Sequence, residues 1–114
     1  ETPRGTIEIS PTAIATLASH AVLQTYGVVG MASSNLASDI AASLTRDPNR
    51  GIEIRQENDH IVIDVYVIIE YGTRIASVAN SLINAVRYTV EKSIGVPVGQ
   101  VNVHIQGLRV SRAE

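Results

Sequence analysis

Ile61-Val62-Ile63-Asp64-Val65-Tyr66-Val67-Ile68-Ile69-Glu70 decides the fold. Side chains alternate across an extended chain, so Ile61, Ile63, Val65, Val67 and Ile69 share one face of a long strand. The other face carries Val62, Asp64, Tyr66, Ile68 and Glu70. It is half apolar, which reads as a surface partly covered rather than openly solvated. Upstream, Ile52-Glu53-Ile54-Arg55 alternates in the same way, and Glu57-Asn58-Asp59-His60 is a polar connection. The economical reading of the two segments is a hairpin. Downstream, Tyr71-Gly72-Thr73 breaks the strand and offers Thr73 as an N-cap.

Ile75, Val78, Ala79, Leu82, Val86, Val90 and Ile94 then trace a long amphipathic helix. Lys92 suits the negative end of its dipole, Gly95 closes it, and Pro97 prevents a restart. A last strand puts Val101, Val103 and Ile105 inward and Asn102, His104 and Gln106 outward, with a kink expected at Gly107. Ahead of the hairpin, Gly5 to Ser10 alternates as a short strand. Ser10-Pro11 caps a helix on which Ile14, Leu17, Ala18, Ala21, Val22 and Thr25 recur on one face, and Gly27 is expected to end it as a left-handed cap. Val28-Val29-Gly30-Met31 reads as a weak strand, and Leu36, Ile40 and Leu44 mark a short second helix within Ser33 to Arg46.

A hairpin, a crossover helix and a returning strand specify an α+β fold. The expected architecture is a small mixed β-sheet, hairpin plus crossover strand, with two main amphipathic helices packed on one face. At 114 residues the chain is one domain's worth of protein. It is 45% hydrophobic and 18% charged, which excludes wholesale disorder. The net charge of −2 gives no global pull toward a polyanion. Cysteine is absent, which removes disulfides, thiolate metal sites and Cys nucleophiles together. Phe and Trp are absent too, so the core must be aliphatic. No apolar run approaches the roughly 20 residues of a membrane-spanning helix. No signal peptide opens the chain. The first residue is Glu1 rather than Met, so the sequence leaves open an anchor ahead of it.

Reactive constellations do not emerge. His20, His60 and His104 show neither i, i+4 nor alternate spacing, so each reads as an isolated histidine rather than a metal ligand. Asp64 and Glu70 lie roughly 20 Å apart along a strand, too far for an acid–base pair. Asp64 is better read as pairing with an arginine from elsewhere. Ser33, Ser34 and Ser38 lack a nucleophile-elbow context, and no phosphate loop or EF-hand loop occurs. The expectation is a non-enzyme with no cofactor and no metal. Gly27-Val28-Val29-Gly30 matches the GxxG loop of KH nucleic-acid-binding modules. Its middle is Val-Val, and no Lys or Arg lies within fifteen residues, so helix-stop chemistry explains it better. The same chemistry is expected to explain Gly95 and Gly99. What remains is surface: Val62, Asp64, Tyr66 and Ile68 form the candidate interaction surface, with coverage by Ser34 to Leu44 as the competing reading.

Several segments together are similar to a known family. Gly5-Thr-Ile-Glu-Ile-Ser10 and Tyr26-Gly27-Val28-Val29-Gly30-Met31 resemble the opening of the alkaline shock protein family, the YloU-like envelope stress response proteins. Asp64 to Gly72 resembles that family's long strand ending in a Tyr-Gly turn, and Gly95-Val96 and Val101-Asn102-Val103-His104-Ile105 resemble its glycine stop and final strand. The likeness runs from about Gly5 to Val110. Thr73-Arg74-Ile75-Ala76 departs from the proline or acidic residue common early in the family's long helix, and Ser33 to Gly51 matches nothing in it. The resemblance implies one domain over 1–114 and a bacterial, cytoplasmic, non-enzymatic protein. It implies a partner in a second copy of itself, and a place near the membrane through a membrane-anchored protein of the same family. It carries over no catalytic residue and implies neither nucleic acid as partner nor a membrane span.

Overall fold

The computed structural model describes residues 9–32, 51–57 and 60–110. In chain order these form α1 (Pro11–Leu23), β1 (Val28–Met31), β2 (Ile52–Glu57), β3 (His60–Glu70), α2 (Ile75–Ile94) and β4 (Val98–Arg109). The expected strand at Gly5 to Ser10, all but its last two residues, and the expected helix within Ser33 to Arg46 lie outside the described residues.

β3 is the axis of the sheet. One of its edges pairs antiparallel with β2, from Ile52 opposite Val65 to Glu57 opposite His60. Farther along that edge β1 pairs antiparallel with it, Val28 opposite Ile69 and Met31 opposite Val67. Its other edge pairs parallel with β4, from Ile61 opposite Val98 to Glu70 opposite Arg109. A parallel return needs a long crossover, and the 20-residue α2 supplies it. The sheet is therefore mixed, and both edges of β3 are occupied; residues on both of its faces are buried, which is why this strand is apolar at almost every position.

The two helices cover one face. Ile14, Ala18 and Val22 of α1 and Val78, Leu82, Val86 and Val90 of α2 close on Ile61, Ile63, Val65, Val67 and Ile69 of β3. Val98 and Val101 of β4 complete this aliphatic cluster. Ser10 caps α1 as its sequence indicates: the Ala13 N–H donates to the Ser10 hydroxyl at 3.2 Å, with Pro11 in the first turn. Gly95 closes α2 in the left-handed conformation, its N–H donating to the Glu91 carbonyl at 2.8 Å.

Three expectations about element ends are corrected. Thr73 does not cap α2. The N-cap is Arg74, which offers no side-chain bond, and the Thr73 hydroxyl instead donates to the Glu70 carbonyl at 2.8 Å. Gly27 is not the cap of α1, which stops at Leu23 with a right-handed Gln24 after it. With φ +94° Gly27 instead turns the chain into β1, its carbonyl accepting from the Glu70 N–H at 2.8 Å. Gly99 is no helix stop either. It lies within β4 beside the His60 ring, where a Cβ would stand 2.0 Å from the imidazole Cδ2.

Candidate functional site

The second face of β3 builds a polar cluster around one carboxylate. Asp64 sits at the middle of the strand with only 6% of its surface exposed. β2 brings Arg55 alongside, whose Nε and terminal nitrogen donate to Asp64 Oδ2 at 3.3 and 3.1 Å. β4 brings Asn102 and His104 from the other side. The Asn102 amide donates to Oδ1 at 3.0 Å, and His104 Nε2 lies 3.1 Å from the same oxygen. One side chain thus ties three neighbouring strands together, and its contacts with β4 hold a parallel pair in register. Arg55 also pairs with Glu57. The Tyr66 ring stacks on His104 with centroids 4.5 Å apart, and its hydroxyl donates to Glu53 at 3.3 Å. Gln100 donates to Asn102 Oδ1 at 2.9 Å. Among the described residues no buried side-chain polar atom lacks a partner.

The electrostatics follow from this packing. Burial pushes the Asp64 carboxyl up, but hydrogen bonds from His104, Asn102 and Arg55 and the positive field of Arg55 outweigh it, leaving its pKa below the ordinary value. The hydrogen bond to Asp64 is the main influence raising the Arg55 guanidinium further above its ordinary value. Burial, and then the nearby Glu53 and Asp64, raise the Tyr66 hydroxyl. Both Asp64 oxygens are engaged, and the hydroxyl in the cluster, that of Tyr66, is spent on Glu53. The arrangement is suited to joining strands.

A stability profile against pH should expose the carboxylate. A group whose pKa is depressed on folding contributes above its unfolded pKa and stops contributing as pH falls through the folded one. Wild type should therefore exceed the Asp64→Asn variant in urea-measured stability at neutral pH. That difference should shrink as the pH drops below the ordinary 3.8.

The expected arginine partner of Asp64 is thus Arg55. Val62 and Ile68, on the same face of β3 as Asp64, are 1% and 0% exposed, and Tyr66 between Asp64 and Ile68 is half-buried. Of the four residues of the candidate interaction surface, Tyr66 is therefore the most exposed. The competing reading, coverage by Ser34 to Leu44, falls outside the described residues. Sequence reading missed Asn102 and His104 as partners of Asp64. Their outward positions on the last strand were visible, but the β3–β4 register that aligns them is a tertiary fact.

His20 is exposed on α1, and His60 opens β3. No group of three or more His, Asp or Glu among the described residues is placed to hold a metal. Gly27-Val28-Val29-Gly30 joins a helix to a strand, and Gly30 pairs with Ile68. A KH loop lies between two helices, so the nucleic-acid alternative loses its motif. A depression of about 300 Å³ beside Gly27 is lined by Tyr26, Val28, Thr73, Glu70 and Arg109, and its two charged groups face each other at 3.6 Å.

A model of the alkaline shock protein 23 family, whose function is cell envelope-related, matches residues 1–110. The chain belongs to the alkaline shock protein family. Its relatives include the uncharacterised YloU of Bacillus subtilis, 44% identical over 112 residues and spanning 96% of this chain and 93% of that protein. The uncharacterised Spy1614 of Streptococcus pyogenes serotype M6 is 33% identical, spanning 96% and 92%. Neither the family nor these relatives indicate a catalytic activity. Among solved structures the chain is similar to the MamM CTD in its copper form, with TM-score 0.52, 13% identity, and 91% and 92% of the two chains covered. At that identity the likeness concerns the fold alone. The Asp64 cluster and the helix-covered face thus belong to a member of the alkaline shock family, whose function is cell envelope-related.

Proposed function

We propose that the chain is a non-catalytic envelope stress response protein, a self-associating interaction or scaffold domain. It works in the cytoplasm, next to the membrane, through a membrane-anchored partner of its own family. The observation that carries this reading is the match of a cell envelope-related family over residues 1–110. Two features support it. The ionisable groups that converge at Asp64 are committed to one another. Tyr26, Tyr71 and Tyr88 are 86%, 63% and 63% exposed, a residue type that favours partner contacts. No helix among the described residues is long and apolar enough to cross a membrane.

Light scattering over a concentration series tests the self-association, and capture from a detergent-solubilised membrane fraction tests the anchored partner. Average mass should rise with concentration, and a membrane protein of the same family should be retained. A strict monomer that retains no such protein would overturn the reading.

A further inference from the structure

We infer that the outer edge of β4 is the surface through which two copies of this chain pair, antiparallel about a two-fold axis. The inference deepens the self-association proposed above and rests on it. β4 pairs with β3 along one edge, and among the described residues no strand pairs with the other. Register shifts at Gly99 and Gln106 bracket a regular run, Gln100-Val101-Asn102-Val103-His104-Ile105. Free edges are usually blunted by Lys, Pro or inward charges. This run contains no proline and no Asp, Glu, Lys or Arg. Its inward side chains are also undercovered. Val103 and Ile105 are half-buried, whereas Ile63, Val65, Val67 and Ile69 beside them on β3 are at 0% exposure.

The run is complementary to itself. With Val103 opposite its own copy, Val101 meets Ile105 on the helix-covered face, and Asn102 meets His104 on the polar face. Gln100 meets Gln106. Aliphatic side chains face aliphatic ones and no like charges meet, the arrangement that favours cross-strand pairing. A two-fold contact of this kind uses one patch on both copies and closes at a dimer. Each copy would add a strand to the other's sheet and cover its half-buried valine and isoleucine.

The chain has no cysteine, so a single introduced thiol reports the contact. Directly opposed residues of an antiparallel pair have Cα atoms about 4.5–5.5 Å apart, within disulfide range. Mild oxidation of Val103→Cys should give a covalent dimer in high yield, and Tyr88→Cys, on the exposed side of α2, should not. In a second arm, Gln100→Lys combined with Gln106→Lys should weaken association roughly tenfold by opposing like charges. Thermal unfolding checks that these variants remain folded. Mixing this variant with one carrying Gln100→Glu and Gln106→Glu should restore association as a mixed dimer. If wild type associates but the charge variants associate equally well and Val103→Cys does not cross-link, the β4 assignment is wrong and self-association stands. If wild type is monomeric at every concentration, the self-association reading falls and takes the assignment with it. Hydrogen exchange gives a third contradiction: protection of the outward amides of Gln100 to Ile105 that does not change with concentration, which would mean the chain covers this edge itself.

Discussion

Replacing Gly27 with alanine should destabilise the protein by about 2–5 kcal/mol, from a left-handed backbone penalty of about 1–2 and an overpacking cost of about 1–3. The backbone part arises because φ at Gly27 is +94°, where an L side chain is strained. The packing part arises because the added Cβ would lie 2.8 Å from Val78 Cγ2, and Val78 is a buried member of the α2 stripe. Urea unfolding measures the total, and a double-mutant cycle with Val78→Ala isolates the contact as a favourable coupling. The same experiment addresses what this glycine is for. If it serves the turn into β1, wild type shows no salt-dependent retention on an RNA column and the variant changes stability alone. Undiminished stability in the variant, together with RNA retention lost from a wild type that had it, would restore the nucleic-acid reading.

Leu82→Ala should cost about 2–5 kcal/mol, the range for truncating a large buried aliphatic side chain. Leu82 has 0% exposure and lies within the four-residue ladder Val78, Leu82, Val86 and Val90, which joins α2 to the aliphatic cluster it shares with α1, β3 and β4. The ladder is narrow, so α1 and the sheet cannot easily collapse into the space left behind. Ile75→Ala, one turn outside the buried part of the helix, should change stability by less than about 0.5 kcal/mol, because Ile75 is 43% exposed. Denaturant midpoints for the two variants compare them directly. Equal losses at both positions would mean that α2 is seated differently on the sheet.

These two expectations mark what was legible in the amino-acid sequence. Period-two alternation located β2, β3 and β4, and the spacing of Val78, Leu82, Val86 and Val90 located the seam of α2, because burial on one face leaves a periodic trace. Pairing Asp64 with an arginine was legible too, since a carboxylate amid Val62, Tyr66 and Ile68 needs a counter-charge. Element ends were less so. Thr73 and Gly27 have the right chemistry for caps, but each lies off the helix end, and the carbonyls and amides of β3 claim them instead. The contributions of Asn102 and His104 stayed hidden for a different reason. A parallel strand reached through a 20-residue helix carries no local signal of its register. The pairing of β1 behind β2 on the same edge of β3 is likewise a long-range contact.

The central claim is that the cluster around Asp64 serves the fold, so that function resides in surfaces and not in a reactive group. Equilibrium unfolding of Asp64→Asn beside wild type at pH 7 tests it most directly. A structural carboxylate predicts a loss of about 1–2 kcal/mol, allowing for solvent screening of its outer partners. An asparagine variant as stable as wild type, or more so, would contradict the claim, because that is the behaviour of a group kept at a cost to stability for chemistry.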